Sequence, residues 1–301
     1  MLEPVVASAV AAALAAGRGV VALESTIFSE LGLPSPANQE ALARCVHAVE
    51  AGGAVPAITA VLDGRARVGL DPSEHDRITG PARKVAERDL SVALAQRWDF
   101  GATTVSASVA LAAAAGISVF ATGGIGGVHR GADITGDVSA DLDAIAHHPV
   151  VTVCAGAKAF LDLPRTLEHL ETAGVPVLGW RHDWFPAFYT RSSGLPVPHR
   201  IELAADVAAV LDHRSRAMTG VLLTVPIPEA DELDAAFLDE AMERAMADAA
   251  TEVVSGPAVT PFVLARVAEA TSGRSVPANL ALAEHNAAVA AEVAVAIASR
   301  S

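Results

Sequence analysis

The sequence predicts an α/β fold of three layers: a mostly parallel central sheet covered by helices on both faces, with a helical layer at its C-terminal end. Two observations predict it. Short Val/Ile/Leu runs alternate with alanine-rich helical stretches between residues 19 and 225, the pattern of parallel strands buried on both faces. After the last such run the pattern becomes helical only. Of the 301 residues 52% are hydrophobic but only 4% aromatic, so the core must rely on close packing of small and branched side chains. No internal repeat, low-complexity linker or charge block interrupts the chain, and residues 1–301 read as a single domain.

The elements follow in order. The apolar stretch Val5 to Ala16 follows Glu3 and has neither a basic leader nor the length of a membrane span; it reads as a surface helix. Buried strands are expected at Gly19–Leu23, Pro56–Leu62, Ile117–Ala121, Val150–Cys154, Val175–Gly179 and Val221–Val225, each short, apolar and bounded by Gly, Pro or polar residues. Helices are expected at Asn38–Ala51, Lys84–Asp99, Thr103–Ala115, Ala140–Ala146 and Asp162–Ala173, several opening on Asn, Asp or Thr caps. The Pro-, Ser- and Gly-rich loop from Trp184 to His199 is long enough to cover a site. Helices at Asp231–Glu252, Thr260–Thr271 and Ala278–Ala298 close the chain.

A net charge of −14 argues against nucleic acid as a partner, because phosphate neutralisation needs a basic surface. A phosphorylated ligand must instead be a small molecule met by a local positive pocket. The two cysteines, Cys45 and Cys154, lie in apolar or helical surroundings and suit neither a disulfide framework nor a zinc site. A cytoplasmic protein with no membrane partner is the expectation.

The sharpest signal is an absence. Of 21 basic residues 19 are Arg, and only Lys84 and Lys158 are Lys. Surface Lys exchanges for Arg at little cost, but Arg never deprotonates and cannot form an imine. Lys158 follows the run Val150–Cys154, just past the carboxyl end of an expected central strand, where open α/β sheets place their ligands. Partial desolvation there favours the neutral, nucleophilic amine. The competing reading is a helix-capping Lys, or one paired with Asp162. Lys84 opens the stretch Lys-Val-Ala-Glu-Arg-Asp-Leu and reads as a helix-surface cation that pairs with Glu87 or binds an anionic substrate.

Three further segments carry chemistry. Ala121–Gly131 reads Ala-Thr-Gly-Gly-Ile-Gly-Gly-Val-His-Arg-Gly; glycines let backbone N–H groups approach an anion, yet the spacing fits neither the dinucleotide fingerprint nor the P-loop. Within it, His129 is either structural or an acid–base group near neutral pH. Downstream, Ser139 looks like a helix N-cap, with Asp141 part of the same capping chemistry, while Asp137 precedes the helix, where a loop carboxylate can hold a hard divalent cation with water at the other positions. Glu24 ends the first expected strand and suits general acid or base work; helix capping by Ser25 or Thr26 competes for that polar trio.

Taken together, Ala22–Thr26, Pro56–Gly64, Arg88–Leu90, Thr103–Val105, Phe120–Gly131, Val153–Lys158, Gly194–Arg200, Pro226–Asp231 and Val259–Phe262 resemble the pseudouridine-5′-phosphate glycosidases, or indigoidine synthase A-like family. One departure is Ser29-Glu-Leu-Gly-Leu-Pro34, where relatives carry Ser-His-Gly, an apolar residue and Pro. The resemblance implies an α/β/α homotrimer that reversibly cleaves pseudouridine 5′-phosphate with water to ribose 5-phosphate and uracil. It implies Lys158 as covalent nucleophile, Glu24 as proton donor and Asp137 as ligand to manganese, Mn2+. Lys84, Thr104, Val105, Ser139, Ala140 and Asp141 match substrate-contacting positions, and His129 and Asn279 match residues lining the pocket. A C–C glycosidic bond has no heteroatom leaving group, so the usual carboxylate pair is the wrong tool and a lysine imine supplies the electron sink. A Schiff-base aldolase on another sugar phosphate and a non-catalytic sugar-phosphate sensor are the alternatives.

Overall fold

The computed structural model describes residues 2–252, 254 and 259–300, without the side chains of residues 250, 260 and 261. Met1, Ser301 and the side chains of Thr260 and Pro261 in the last resemblance motif therefore lie outside the described residues. The strands are β1 (Val5–Val6), β2 (Val20–Leu23), β3 (Val55–Leu62), β4 (Arg65–Val68), β5 (Arg83–Val85), β6 (Phe100–Thr103), β7 (Val119–Ala121), β8 (Val151–Cys154), β9 (Val177–Trp180), β10 (His199–Ile201) and β11 (Val221–Thr224). The helices are α1 (Ser8–Ala15), α2 (Ala37–Ala51), α3 (His75–Ile78), α4 (Leu90–Ala95), α5 (Val105–Ala114), α6 (Ala132–Thr135), α7 (Ala140–His147), α8 (Leu163–Ala173), α9 (Ala204–His213), α10 (Ala235–Thr251), α11 (Val259–Ala270) and α12 (Ser275–Ala298).

The strands run β1-β4-β3-β2-β7-β8-β11-β9-β10, with β6 joining β3 to β5. All pairings are parallel except β3 with β4 and β3 with β6, so the expected mostly parallel sheet is present. Its central strands β2, β7, β8 and β11 are buried throughout, which is why they are continuous apolar runs and not alternating ones. Helices α2, α9 and α12 pack together on one face, and α12 lies against β2, β7 and β8. On the other face α5 contacts β2, β3 and β7 and packs against α7, which leads to α8. Alanine allows this close approach: Ala287, Ala290 and Ala291 of α12 are fully buried. Helix α12 is long and apolar enough to cross a membrane by composition, but over half of that stretch is buried inside the protein, as in a core helix. Helices α10 and α11 pack on each other and α11 reaches α12, giving the C-terminal helical layer.

All six expected strands are present, each within two residues of its expected bounds. One expected helix is not. Residues Lys84–Asp99 form strand β5, a tight turn at Glu87–Asp89 and the short helix α4. Arg83, Lys84 and Val85 pair with Gly101, Ala102 and Thr103, and the Asp89 carboxylate accepts from the Ala86 N–H to close the turn. Strand β6 itself reads Phe-Gly-Ala-Thr, whose Gly-Ala centre has little intrinsic β preference. Gly101 is needed there because a Cβ would lie 2.6 Å from Val85 Cγ2. Tertiary pairing, invisible in a local window, decided this segment. The N-terminal stretch likewise begins as β1, and its helix starts only at Ser8.

Candidate active site

The carboxyl ends of β2, β5, β7 and β8 open on one cavity of about 550 Å³. Glu24, Lys84, Thr104, Val105, His129, Asp137, Ser139, Ala140, Asp141 and Lys158 all line it. Nearly every residue singled out from the sequence thus shares one chamber, although 134 positions separate the first from the last. Asn279 is the exception. It is buried on α12, its Oδ1 3.6 Å from where a side chain at Gly123 would begin, and it is not among the lining residues.

Backbone pairing places Lys158. Beyond the sheet edge the chains leaving β7 and β8 continue to bond each other: Ala155 N donates to Gly123 O (2.9 Å), Ile125 N to Gly156 O (3.1 Å) and Lys158 N to Ile125 O (3.2 Å). The two loops are zipped together, with Lys158 at the open end. Gly156, at φ +76°, is obligatory in this path, since a Cβ would fall 2.0 Å from Pro186 O. The Lys158 side chain is half-buried and forms no ion pair among the described residues. Asp162, offered above as its partner, instead accepts from Arg165 N and caps α8.

Glu24 directly follows β2 and is 8% exposed. Burial pushes its carboxyl up to about 7, against the opposing effects of a hydrogen bond from Thr122 and the charge of Lys158. Thr122 Oγ1 donates to Glu24 Oε1. Ser25 and Thr26 are not helix caps: Ser25 Oγ bonds Thr103, and Thr26 Oγ1 donates to Thr103 O at 2.7 Å, tying the chain after Glu24 to the end of β6.

Lys84 sits on β5 and pairs with no carboxylate among the described residues, Glu87 included; Glu87 bonds His148 Nε2 at 2.8 Å. Desolvation, and then repulsion from Lys158, hold the Lys84 ammonium below its usual range. Its exposed surface belongs to the cavity wall. Beside it α5 begins at Thr104, whose hydroxyl caps no backbone N–H of the helix. Arg88, also lining the cavity, adds a third cation that sequence reasoning placed only within a motif.

Asp141 works between elements. Its Oδ1 accepts from Ser106 N (3.0 Å) and its Oδ2 from Gly126 N (2.9 Å), joining α5, α7 and the glycine segment. Ser139 is the expected N-cap of α7 and accepts from Asp141 N. A Cβ at Gly126 would meet Ser139 Oγ at 2.3 Å. The glycine segment is therefore built for close packing: the N–H groups of Ile125, Gly126 and Val128 are taken by Gly156, Asp141 and Thr166. These three N–H groups are therefore not available to an anion, although Gly126 and His129 of the segment line the cavity. The loop from Trp184 to His199 does not cover the cavity. Phe185, Phe188 and Tyr189 are buried, and Phe188, at φ 63°, packs beneath Gly124 and donates its N–H to Ala155 O, so apolar burial turns the loop into a buttress.

His129 packs on Phe160, ring centroids 6.3 Å apart, with Nδ1 3.7 Å from Asp137 Oδ2. Burial holds its imidazole below the usual range, partly opposed by Asp137, which favours a neutral ring at neutral pH. Asp137 is 43% exposed on the cavity side. No group of three or more His, Cys, Asp and Glu able to hold a metal occurs among the described residues. A single oxygen donor beside an imidazole fits a hard cation bound chiefly through water and substrate oxygens, not a protein cage.

Residues 9–296 match the family model for indigoidine synthase A like protein. A curated relative from Rhodospirillum centenum, named pseudouridine-5′-phosphate glycosidase, is 56% identical over 96% of this chain and 91% of its own. One of the same name from Methylobacterium nodulans is 50% identical over 96% and 86%. Among solved structures, the prealnumycin C-glycosynthase AlnA in complex with ribulose 5-phosphate superposes with a TM-score of 0.90 at 37% identity, covering 99% of this chain and 98% of that one. An indigoidine synthase A-like protein from Thermotoga maritima superposes at 0.85 with 34% identity, over 94% of each chain. With near full-length sequence matches and structural superposition in agreement, the chain belongs to the indigoidine synthase A-like family of pseudouridine-5′-phosphate glycosidases.

Proposed function

We propose that this protein reversibly cleaves the C–C glycosidic bond of pseudouridine 5′-phosphate, giving ribose 5-phosphate and uracil. The observation that carries the reading is a primary amine and a carboxyl of pKa about 7 lining one cavity, Lys158 and Glu24. Relatives named for this activity and a C-glycosynthase structure holding a pentulose phosphate support it.

Lys158 Nζ attacks C1′ as the C1′–O4′ bond breaks, and a proton lost from Nζ passes to O4′, which becomes the C4′ hydroxyl and leaves Nζ with a lone pair. The C1′–C5 bond then breaks. Its electron pair goes to uracil C5, which takes a proton from Glu24, while the Nζ lone pair closes a C1′ imine. Water hydrolyses the imine to ribose 5-phosphate and regenerates the amine, so one water is consumed overall. Glu24 can donate because burial keeps it protonated near neutral pH. The phosphate belongs at the N-terminus of α5, where Thr104 and Val105 face Lys84 and Arg88. Ser139 and Ala140, at the N-terminus of α7, face the same ligand, and neutral His129 serves as a proton carrier at the sugar. A divalent cation, manganese by resemblance, would be held by Asp137 with water and would supply positive charge to substrate oxygens. A cytoplasmic homotrimer completes the proposal.

Sodium borohydride added during turnover tests it directly. A ribose 5-phosphate-derived adduct on Lys158, found by peptide mass mapping, is the expected product; a fully active sample left unmodified at Lys158 rules the mechanism out. Loss of uracil absorbance on mixing uracil with ribose 5-phosphate separates this reading from an aldolase.

A further inference from the structure

Asn286 lies on α12, outside the cavity lining, and is 1% exposed. Its Nδ2 donates to Thr122 O at 2.8 Å and to Gly123 O at 3.2 Å. These two carbonyls belong to the segment that carries the acid's support and the nucleophile's rail. The Thr122 hydroxyl donates to Glu24 Oε1, and Gly123 O also accepts from Ala155 N, the first bond of the zip that ends at Lys158. One amide thus fixes both peptide planes from which the two proposed catalytic groups are held.

The other end of the same amide is anomalous. Asn286 Oδ1 is buried with no hydrogen-bond partner among the described residues, and an unpaired buried acceptor carries a desolvation penalty that an apolar residue of similar shape avoids. Packing α12 on the sheet needs only the apolar side chain, as Leu282, Ala283, Ala287 and Ala290 around it illustrate. A buried amide left with an unpaired oxygen, set where its nitrogen reaches the Thr122 and Gly123 carbonyls, points to a demand of the site.

We infer that Asn286 is a positioning residue of the glycosidase reaction, acting through Thr122 to orient the Glu24 carboxyl. The inference rests on the function proposed above and concerns a residue with no contact to substrate. Two consequences follow. Removing the amide loosens Thr122 and weakens its hydrogen bond to Glu24; because that bond lowers the Glu24 pKa, the pKa rises further. The phosphate end, built from α5, β5 and α7, is untouched.

The test compares wild type, Asn286→Leu, Thr122→Val and the double variant. In Asn286→Leu, kcat is expected to fall about tenfold or more, as for a small misplacement of a catalytic group, with KM for ribose 5-phosphate essentially unchanged. The high-pH limb of kcat should move upward. The double variant should be no worse than Thr122→Val alone, since the two residues act in series. Should Asn286→Leu fail to fold, Asn286→Ser serves the same comparison. A folded variant with unchanged kcat and unchanged pH limb overturns the inference, as do additive losses in the double variant. Carbon-13 NMR titration of the Glu24 carboxyl in wild type and Asn286→Leu needs no substrate. It therefore judges the Asn286–Glu24 link even if wild type fails to join uracil to ribose 5-phosphate, an outcome that sinks the proposed function instead. Coincident titrations overturn the link.

Discussion

At the scale of single residues the chemistry turns on what burial does to Glu24 and Lys84. Glu24, raised from about 4.5 to about 7, binds its proton more tightly folded than unfolded. The folded state therefore loses relative stability as pH rises from 4.5 to 7, by about 3 kcal/mol at most. Glu24→Gln should accordingly melt higher than wild type at pH 8 and near equal to it at pH 4.5, by differential scanning calorimetry; a lower melting temperature at pH 8 contradicts the buried acid. The same change should reduce cleavage by about 10²-fold or more, and wild-type cleavage should decline as pH rises through about 7 in an initial-rate profile. Lys84→Gln should raise KM for ribose 5-phosphate about tenfold through a lost charge-assisted contact, with a smaller change in kcat, in steady-state kinetics. Lys158 and Glu24 were legible because each ends an apolar run and because Lys survives an Arg bias. Thr122 and Asn286 were not. Their bonds reach across 98 and 164 residues, and nothing local to Asn286 in an alanine-rich helix marks it.

At the scale of elements, strands legible as apolar runs were those buried on both faces, β2, β3, β7, β8, β9 and β11. The edge and accessory strands β4, β5, β6 and β10 carry mixed sequences such as Arg-Ala-Arg-Val, and only their partners make them strands; β1 is too short, at Val5–Val6, to stand out. Lys84 was consequently found but set on the wrong element. That the glycine segment is special was legible, but not that Gly126 and Gly127 pack on Ser139 and Thr166, because glycine serves backbone approach to a ligand and to a neighbouring chain equally well. Gly156→Ala tests the second role: it places a Cβ on Pro186 O at a positive φ, and should destabilise the protein by several kcal/mol and abolish imine trapping on Lys158. Wild-type melting behaviour in urea would show the zip to be dispensable.

At the scale of the molecule, three layers and a helical C-terminal layer were legible because alternation of short apolar runs and alanine-rich stretches is itself the sequence of such a fold. How α12 crosses β2, β7 and β8 was not, since its apolar residues run around most of its surface. One core continuous across the described residues predicts a single unfolding transition, with circular dichroism and tryptophan fluorescence coincident in urea; separated transitions would divide the chain into independent units. The zipped loops after β7 and β8 have a wider implication. The backbone of Lys158, the proposed nucleophile, is stationed by main-chain pairing, as a tool clamped to a bench. If Lys158 is the nucleophile, a change in the wall facing it would alter which ring is accepted while leaving this main-chain clamp unchanged.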